Sequence, residues 1–320
     1  PFYLPEGSTG PPHAIPVCSH RTFSYLCATM IPYTRKTLPN GLTVVVNRDR
    51  ASKLAAVNIL YRVGARNENP ARTGFAHLFE HLMFRGTRAV ENFDLPVQMA
   101  SGDNNAFTNN DYTDFYITLP KDNLETALWL ESDRMEGLDI TPAKLEAEKK
   151  VVIEEFRQRY LNQPYGDQTM LLRALAYKVH PYRWAAIGLA TDHIAGATLA
   201  DVESFYRAHY RPSNAILSIS ADMEEERMLE LAEKWFAPLA DHPSATAAIP
   251  QEPVQTQARR QEVERDVPAS TVTVAYHMCA RTKPDFYTAD LVSDLLSGGD
   301  SGRLYTHLVK ERNLLSSVNA

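Results

Sequence analysis

Two histidines and a glutamate lie within five residues of one another, in His77-Leu-Phe-Glu80-His81. On an α-helix, residues at positions i, i+3 and i+4 share one face, so both imidazoles and the carboxylate project into the same small volume. Two imidazoles four residues apart can bind one zinc ion, which leaves Glu80 beside the metal without being needed as a ligand. The simpler alternative is a pair of surface histidines, but the flanking residues are apolar on nearly every side. Buried titratable groups need a partner, and a metal ion is the partner that this pattern predicts.

A catalytic zinc ion needs a third protein ligand and an open fourth position for water. The predicted helix at residues 142–160 contains four glutamates and an apolar stripe. The stripe consists of Leu145, Val152 and Phe156. At about 100° per residue, Glu148 and Glu155 lie at the edge of the stripe, whereas Glu154 faces away and Glu146 lies to the other side. This geometry leaves the choice between Glu148 and Glu155 open.

The patterns along the chain predict a mixture of strands and helices that would position these residues. Strands are predicted at residues 33–38, 42–46, 53–63, 215–220 and 272–278, with two more within 106–119 around a polar turn at 109–111. Helices are predicted at residues 74–84, 123–136, 142–160, 165–177, 199–209, 224–236, 286–296 and 302–312. Pro39-Asn40-Gly41 is a hairpin signal between the first two strands. Thr141 is the predicted N-cap of the 142–160 helix.

Composition excludes several classes of function. The chain has 320 residues and is 44% apolar, which is enough for about two domains with cores. A net charge of −6 disfavours nucleic acid or anionic membranes as main partners. Three cysteines without a Cys-x-x-Cys spacing argue against a disulfide framework and a thiolate zinc site. The sequence has no run of 18 apolar residues and no signal-peptide pattern, so we expect no membrane span and a cytoplasmic protein.

The His-x-x-Glu-His arrangement is the inverted zinc motif of metallopeptidases, and it stands here within the longer motif at residues 73–87. With it, the chain resembles the pitrilysin family, which includes insulysin and the mitochondrial processing peptidase. The resemblance covers residues 32–320. It continues through Gly102-Asp-Asn-Asn-Ala-Phe-Thr108, Glu148-Lys-Lys-Val-Val-Ile-Glu-Glu155, His180-Pro-Tyr182 with Gly188, the motif at 206–215, and Leu295-Leu-Ser-Gly-Gly299 with Arg303-Leu-Tyr305.

This resemblance implies a zinc metalloendopeptidase with one Zn2+ ion per chain. It implies that Glu155, the later of two glutamates seven residues apart, is the third ligand beside His77 and His81. Glu148 is similar to the family's second glutamate, which supports the site. Glu80 would be the general base, taking a proton from the metal-activated water and passing it to the leaving amine.

The resemblance also implies how substrate and partner bind. A peptide substrate would lie extended against an edge strand that contains Asn105, Ala106 and Thr108. Active family members hold the substrate with an arginine and a tyrosine seven residues apart, but Val309 and Ser316 stand at those places here. We therefore expect the catalytic chain of a heterodimer, most like the two-subunit bacterial and mitochondrial processing peptidases. A homologous partner subunit would supply the arginine–tyrosine pair.

The fold implied by the resemblance is α+β, a duplicated unit of mainly antiparallel sheet packed with helices, with a truncated second unit. The predicted organisation is a disordered or non-native tail at 1–31, a catalytic zinc-peptidase domain at 32–240, a linker at 241–253, and an incomplete homologous domain without the zinc motif at 254–320. An internal similarity favours duplication, because the strand, loop and helix of residues 61–83 resemble residues 276–296. In the second copy, Asp290, Ser293 and Asp294 replace the three motif residues.

Two other functions fit parts of the pattern. The family includes core subunits of a respiratory complex that keep the fold, so a non-catalytic core or scaffold subunit is the main alternative. The presence of His77, Glu80, His81 and Glu155 argues against it. The second alternative is a zinc hydrolase of small substrates, such as a deformylase-type amidase.

Overall fold

A six-stranded mixed sheet forms the centre of the computed structural model, which describes residues 31–242 and 248–320. The strands are β1 (Thr34–Thr37), β2 (Thr43–Arg48), β3 (Leu54–Tyr61), β4 (Asp103–Thr108), β5 (Thr113–Pro120) and β6 (Ala215–Ala221). Their order across the sheet is β1-β2-β6-β3-β5-β4. Neighbouring strands are antiparallel except β2 and β6, which are parallel. The strand that comes last in the sequence therefore lies in the interior of the sheet, and β4 forms one edge.

Alternating apolar residues give the sheet one covered face. Successive side chains of a strand point to opposite faces, and in β3 and β6 every second side chain is buried. Val57 lies opposite Ile219 and Ile59 opposite Leu217, so the buried residues of the two strands share one side. These four side chains belong to the main apolar core. The helices that carry the candidate site pack around this core.

The described residues also form α-helices, several of which pack on the sheet. They are α1 (Phe75–Leu82), α2 (Asp94–Met99), α3 (Leu124–Glu136), α4 (Pro142–Phe156), α5 (Gln168–Ala176), α6 (Thr191–Ala195), α7 (Leu199–His209), α8 (Glu225–Phe236) and α9 (Asp285–Ser297). α3 packs on β3 and β5, and α8 packs on β2. α1 lies at the β4 end of the sheet and contacts β4, α4 and α7. The two helices with the candidate ligands, α1 and α4, are therefore neighbours.

Most elements before residue 240 have the predicted type. β1 and β2 form the predicted hairpin, with Thr37 opposite Thr43. The Thr141 hydroxyl accepts a hydrogen bond from the Lys144 N–H and caps α4 as predicted. The predicted helix at 142–160 ends at Phe156 and continues as a π-helical turn at Arg157–Leu161. The prediction lacked α2 and α6, because helices of six and five residues are too short to show an apolar period.

The predicted strand at residues 272–278 is wrong. No residue from 248 to 280, all of them described, belongs to a strand. Val272 is 89% exposed and Tyr276 is 88% exposed. An apolar alternation forms a strand only where another strand supplies hydrogen-bond partners, and none pairs with this segment among the described residues. The internal similarity to residues 61–83 therefore holds for α9 but not for the strand before it.

Residues 248–320 carry no buried apolar side chain, whereas the buried apolar residues of the described chain lie between Leu38 and Phe236. Besides α9, this part contains a π-helical segment at Tyr305–Glu311, where an α-helix was predicted at 302–312. The boundaries of the predicted tail, domains and linker stay predictions. The predicted tail lies outside the described residues, except for Ile31.

Candidate metal centre and active site

Helix α1 carries the His-x-x-Glu-His motif and is buried on most sides. Its N-cap is Gly74, whose φ is +92°, and a Cβ atom there would come within 2.7 Å of the Ile187 carbonyl oxygen, so glycine is required. His77 is 8% exposed, and Glu80 and His81 are partly buried. The two imidazole centroids are 4.9 Å apart, as expected for neighbours on one helix face.

Helix α4 brings a carboxylate to both histidines. Oε2 of Glu155 lies 3.6 Å from Nε2 of His77 and 3.3 Å from Nε2 of His81. Glu148 is two turns earlier and buried, and its Oε2 lies 3.4 Å from Nδ1 of His81. The other two glutamates of α4 have side chains that are more than half exposed. The positions of Glu148 and Glu155 thus differ, although helix geometry alone leaves both as candidates for the third ligand. Glu155 faces both Nε2 atoms, whereas Glu148 faces the opposite nitrogen of one ring.

The donor atoms fit a zinc ion. One ligand atom from each of His77, His81 and Glu155 lies within 4.8 Å of the other two. In a tetrahedral site with bonds of about 2.0–2.1 Å, donor atoms are about 3.3–3.4 Å apart. The imidazole–carboxylate distances of 3.6 and 3.3 Å are close to that separation. Two imidazoles and one carboxylate are also a ligand set that catalytic zinc sites use.

The electrostatics of the three groups are asymmetric. Burial lowers the pKa of His77 to about 4. Burial acts in the same direction on His81, but hydrogen bonds to Glu148 and Glu155 outweigh it and raise the pKa of His81 to about 9. The hydrogen bond with His81 in turn lowers the pKa of Glu155. A proton on His81 therefore places one positive charge between two carboxylates, and a bound cation would take over that place.

Arg85, which follows α1, is a site residue that the sequence interpretation did not include. It forms an ion pair with Oε1 of Glu148, whose other oxygen faces His81. Burial acts to raise the pKa of Glu148, but the hydrogen bond from His81 and the charge of Arg85 hold it below its usual value. In the neutral form of His81 that a metal ion would bind, an ionised Glu148 would accept a hydrogen bond from Nδ1–H and leave the Nε2 lone pair toward the candidate metal position.

Arg159 is a second residue that the sequence interpretation did not include, although its i,i+4 spacing from Glu155 predicts a pair on one helix face. Its Nη1 lies 3.1 Å from Oε1 of Glu155, so the two oxygens of that carboxylate face different partners. Arg159 belongs to the π-helical turn that follows α4. Such turns are frequent at functional sites. Because Arg159 stands four residues after Glu155, its guanidinium reaches the outer oxygen of that carboxylate.

Glu80 lies between α1 and β4. Burial raises the pKa of Glu80, and a hydrogen bond with the Thr108 hydroxyl acts in the opposite direction. A carboxyl group whose pKa is above its ordinary value is suited to take up and return a proton near neutral pH. Glu80 is not one of the three residues whose donor atoms converge.

β4 is an edge of the sheet and contains all three predicted substrate-binding residues. Asn105, Ala106 and Thr108 lie on it, in register with residues 113–116 of β5. Asn105 is exposed, whereas Ala106 and Thr108 are partly buried. On its outer side, β4 has no strand partner among the described residues. An edge of this kind offers unpaired backbone groups to an extended peptide.

Two family models match this chain. The family model described as "Insulinase (Peptidase family M16)" matches residues 43–185, and the model described as "Peptidase M16 inactive domain" matches residues 196–320. The chain therefore belongs to peptidase family M16, in agreement with the resemblance to the pitrilysin family.

Similar proteins are named proteases. Zinc protease PqqE of Helicobacter pylori is 35% identical over 288 residues, which cover 88% of this chain and 65% of that protein. The probable mitochondrial-processing peptidase subunit beta of Arabidopsis thaliana is 26% identical over 261 residues, covering 79% of this chain and 48% of that protein. The chain thus spans about half to two thirds of the length of these curated relatives.

A solved structure shares the fold. The crystal structure of a protease from Helicobacter pylori has a TM-score of 0.83 and 31% sequence identity, covering 91% of this chain and 71% of that chain. The predicted fold class, an α+β metallopeptidase fold of the processing-peptidase type, is confirmed. Across residues 31–242 and 248–320, no helix has both the length and the apolar character that crossing a membrane requires.

Proposed function

We propose that this chain is the catalytic subunit of a zinc metalloendopeptidase that hydrolyses peptide bonds in extended peptides or unfolded polypeptide segments. The observation that carries the proposal is the approach of Oε2 of Glu155 to the Nε2 atoms of His77 and His81, from a different helix. The similar zinc proteases support it. The complete donor set argues against a purely structural subunit.

His77, His81 and Glu155 would hold the metal. When bound, zinc acts as a Lewis acid that polarises the scissile carbonyl group and lowers the pKa of water toward about 7. Glu148, fixed by Arg85, would orient the imidazole of His81. Arg159 would limit Glu155 to presenting one oxygen, because it pairs with the other.

Glu80 would move the proton. In the first step its carboxylate accepts a proton from the attacking water as the new C–O bond forms. In the second step the same proton passes to the amide nitrogen as the C–N bond breaks, which returns Glu80 to its ionised state. A pKa raised by burial favours the protonated form between the two steps.

β4 would bind the substrate. Backbone pairing along its free side would align an extended peptide, and Thr108 lies on this strand in contact with Glu80. Because main-chain pairing is largely independent of sequence, this mode selects for an unfolded segment rather than for a particular side chain. The positions of the arginine–tyrosine pair are held by Val309 and Ser316, so a homologous partner subunit would complete substrate binding.

A peptidase assay tests the proposal. The purified chain, alone and with a candidate partner, is incubated with fluorogenic peptides before and after removal of zinc by a chelator. We expect cleavage that zinc restores, and a loss of kcat of about 10²–10⁴-fold in Glu80→Gln with zinc still bound. Glu154→Gln, on the exposed face of α4, is the matched control and should retain activity.

Each alternative outcome has a meaning. Unchanged turnover in Glu80→Gln removes Glu80 from the mechanism. Hydrolysis of small amides without cleavage of longer peptides favours the amidase. A chain that binds no zinc favours the scaffold subunit, and rapid cleavage by the chain alone removes the need for a partner.

A further inference from the structure

Glu68 lies outside the zinc motif, in the loop after β3, yet it is buried against the start of α1 and only 6% exposed. Its Oε2 accepts a hydrogen bond from the N–H of Gly74 at 2.9 Å, and its Oε1 accepts one from the N–H of Ala76 at 2.8 Å. The first amides of a helix have no partner within the helix, and Gly74 has no side chain to cap them. Glu68, which precedes Gly74 by six residues, caps the start of α1 in its place.

The carboxylate of Glu68 is itself held in place. Its Oε2 also accepts a hydrogen bond from the indole N–H of Trp184 at 3.1 Å. The same N–H lies 3.0 Å from the carbonyl oxygen of Ala65, three residues before Glu68. Trp184 is fully buried, so its indole gives the carboxyl group of Glu68 a fixed partner outside α1.

The chain just before α1 is held from a second direction. The Thr73 hydroxyl oxygen accepts a hydrogen bond from the Leu189 N–H at 2.7 Å, and the Thr73 N–H donates to Nδ1 of His193 at 3.1 Å. The segment around Gly188 lies directly against the Thr73 backbone. The start of α1 is thus clamped between two loops, and Glu68 provides the acceptor oxygens for the amides at its start.

The position of this helix start sets the position of the ligands. α1 has only eight residues, and Ala76 directly precedes His77. An imidazole Nε2 lies roughly 6 Å from its helix axis, so a rotation of about 10° displaces it by about 1 Å. Zinc–ligand distances tolerate deviations of only about 0.2 Å. A small rotation of α1 would therefore separate His77 and His81 from Glu155, which α4 carries.

We propose that Glu68 is a positioning residue that fixes the rotation of α1 through the Gly74 and Ala76 amides, so that His77 and His81 converge on Glu155. This inference rests on the proposed function, because it concerns the same metal ligands. Glu68 acts through the helix backbone and touches neither the metal position nor the substrate strand.

The test compares two buried glutamates. Glu68→Gln keeps the side-chain volume but leaves one acceptor oxygen for two helix amides. Glu131→Gln makes the same change at a fully buried carboxylate that pairs with Arg134 within α3, a helix that carries none of the candidate ligands. Zinc affinity is measured by competition with a chromogenic chelator at a temperature where both variants are folded. Hydrogen exchange of the Ala76 amide is followed in the metal-free chain.

We expect Glu68→Gln to bind zinc at least about tenfold more weakly, within the range typical of residues that orient metal ligands, and to exchange the Ala76 amide faster. Glu131→Gln should keep the zinc affinity of the wild type, even if it is less stable. If Glu68→Gln does not fold, Glu68→Asp and Trp184→Phe replace it, because each weakens the clamp while retaining part of it.

The outcomes separate the two proposals. Equal zinc affinity of the wild type and all folded Glu68 and Trp184 variants overturns the positioning role and leaves the proposed function intact. An equal loss in Glu131→Gln also overturns it, because general destabilisation would then explain the effect. A wild-type chain that binds no zinc overturns the proposed function, and the positioning role falls with it.

Discussion

Zinc binding should release about one proton from the chain at pH 7, and His81 should be its source. In the structure, hydrogen bonds to Glu148 and Glu155 overcome the effect of burial and raise the pKa of His81 to about 9. Burial lowers the pKa of His77 to about 4. Zinc binds the neutral imidazole through one ring nitrogen, so the extra proton of a charged ring must leave when the metal enters.

The magnitude follows from these pKa values. At pH 7, a group with a pKa of 9 is ~99% protonated and one with a pKa of 4 is essentially unprotonated, so the sum is ~1 proton. Two histidines with the ordinary pKa of about 6.5 would each carry ~0.24 proton, or about half a proton together. Because one proton competes with the metal, the apparent Kd for zinc should fall about tenfold per pH unit between pH 7 and 8.

Isothermal titration calorimetry in buffers of different ionisation enthalpy measures the number of protons directly. A value near one half at pH 7, or a zinc affinity that does not change between pH 7 and 8, would refute the electrostatic account of the site. Glu148→Gln provides the control, since it removes one of the two carboxylates that hold the proton on His81. Fewer protons should then be released, while Glu155 stays available as a ligand.

Three further predictions concern ligand identity, backbone fit and acid stability. Glu155→Gln should raise the Kd for zinc by at least about 100-fold, whereas its exposed neighbour in Glu154→Gln should leave it unchanged, as chelator competition can show. Gly188→Ala should lower the free energy of unfolding by about 1–3 kcal/mol in urea, because Gly188 has a φ of +103° and a Cβ there would lie 3.0 Å from the Thr73 backbone. Burial lowers the pKa of His209 to about 4, so the unfolded chain takes up this proton first and stability present above pH 6.5 is lost as the pH falls toward 4. Between pH 7 and 4 the wild type should lose up to ~3 kcal/mol more than His209→Gln, and equal losses would contradict this.

The sequence predicts local features of the site well. The i, i+3, i+4 spacing of His77, Glu80 and His81 has one consequence on a helix, and α1 shows it. The apolar stripe of α4 likewise leaves only two of its four glutamates as candidates for the third ligand, because helix periodicity fixes which residues share a face. The choice between Glu148 and Glu155 depends on where α4 crosses α1, and helix periodicity alone contains no information on that crossing.

Contacts between distant segments could not be predicted. Arg85 and Glu68 are charged residues near a helix end or in a loop, where such residues are common on surfaces. Each acquires a partner only when the chain folds. The buried position of Glu68 in particular depends on Trp184, more than a hundred residues later in the chain.

The predicted strand boundaries are wrong where pairing with a neighbouring strand outweighs the strand propensity of the residues. β4 begins at Asp103 rather than at residue 106, because β5 pairs with three polar residues of low strand propensity. The apolar alternation at 272–278 shows the opposite error, because it predicts a strand and none forms there. Its valines favour a strand, but that segment has no neighbouring strand in the described part of the chain. Propensity decides a strand only together with a partner.

The placement of β6 between β2 and β3 has a consequence for biogenesis. During translation, both histidines and Glu155 leave the ribosome before residues 215–221 have been made. At that stage the sheet consists of two separate ribbons, β1-β2 and β3-β5-β4, because β6 is the strand that joins them. Non-local strand pairing is slow, and the apolar faces of both ribbons stay open until β6 joins them. We therefore expect nascent chains that stop short of residue 215 to be held by chaperones, and high-affinity metal loading to begin only after β6 has emerged.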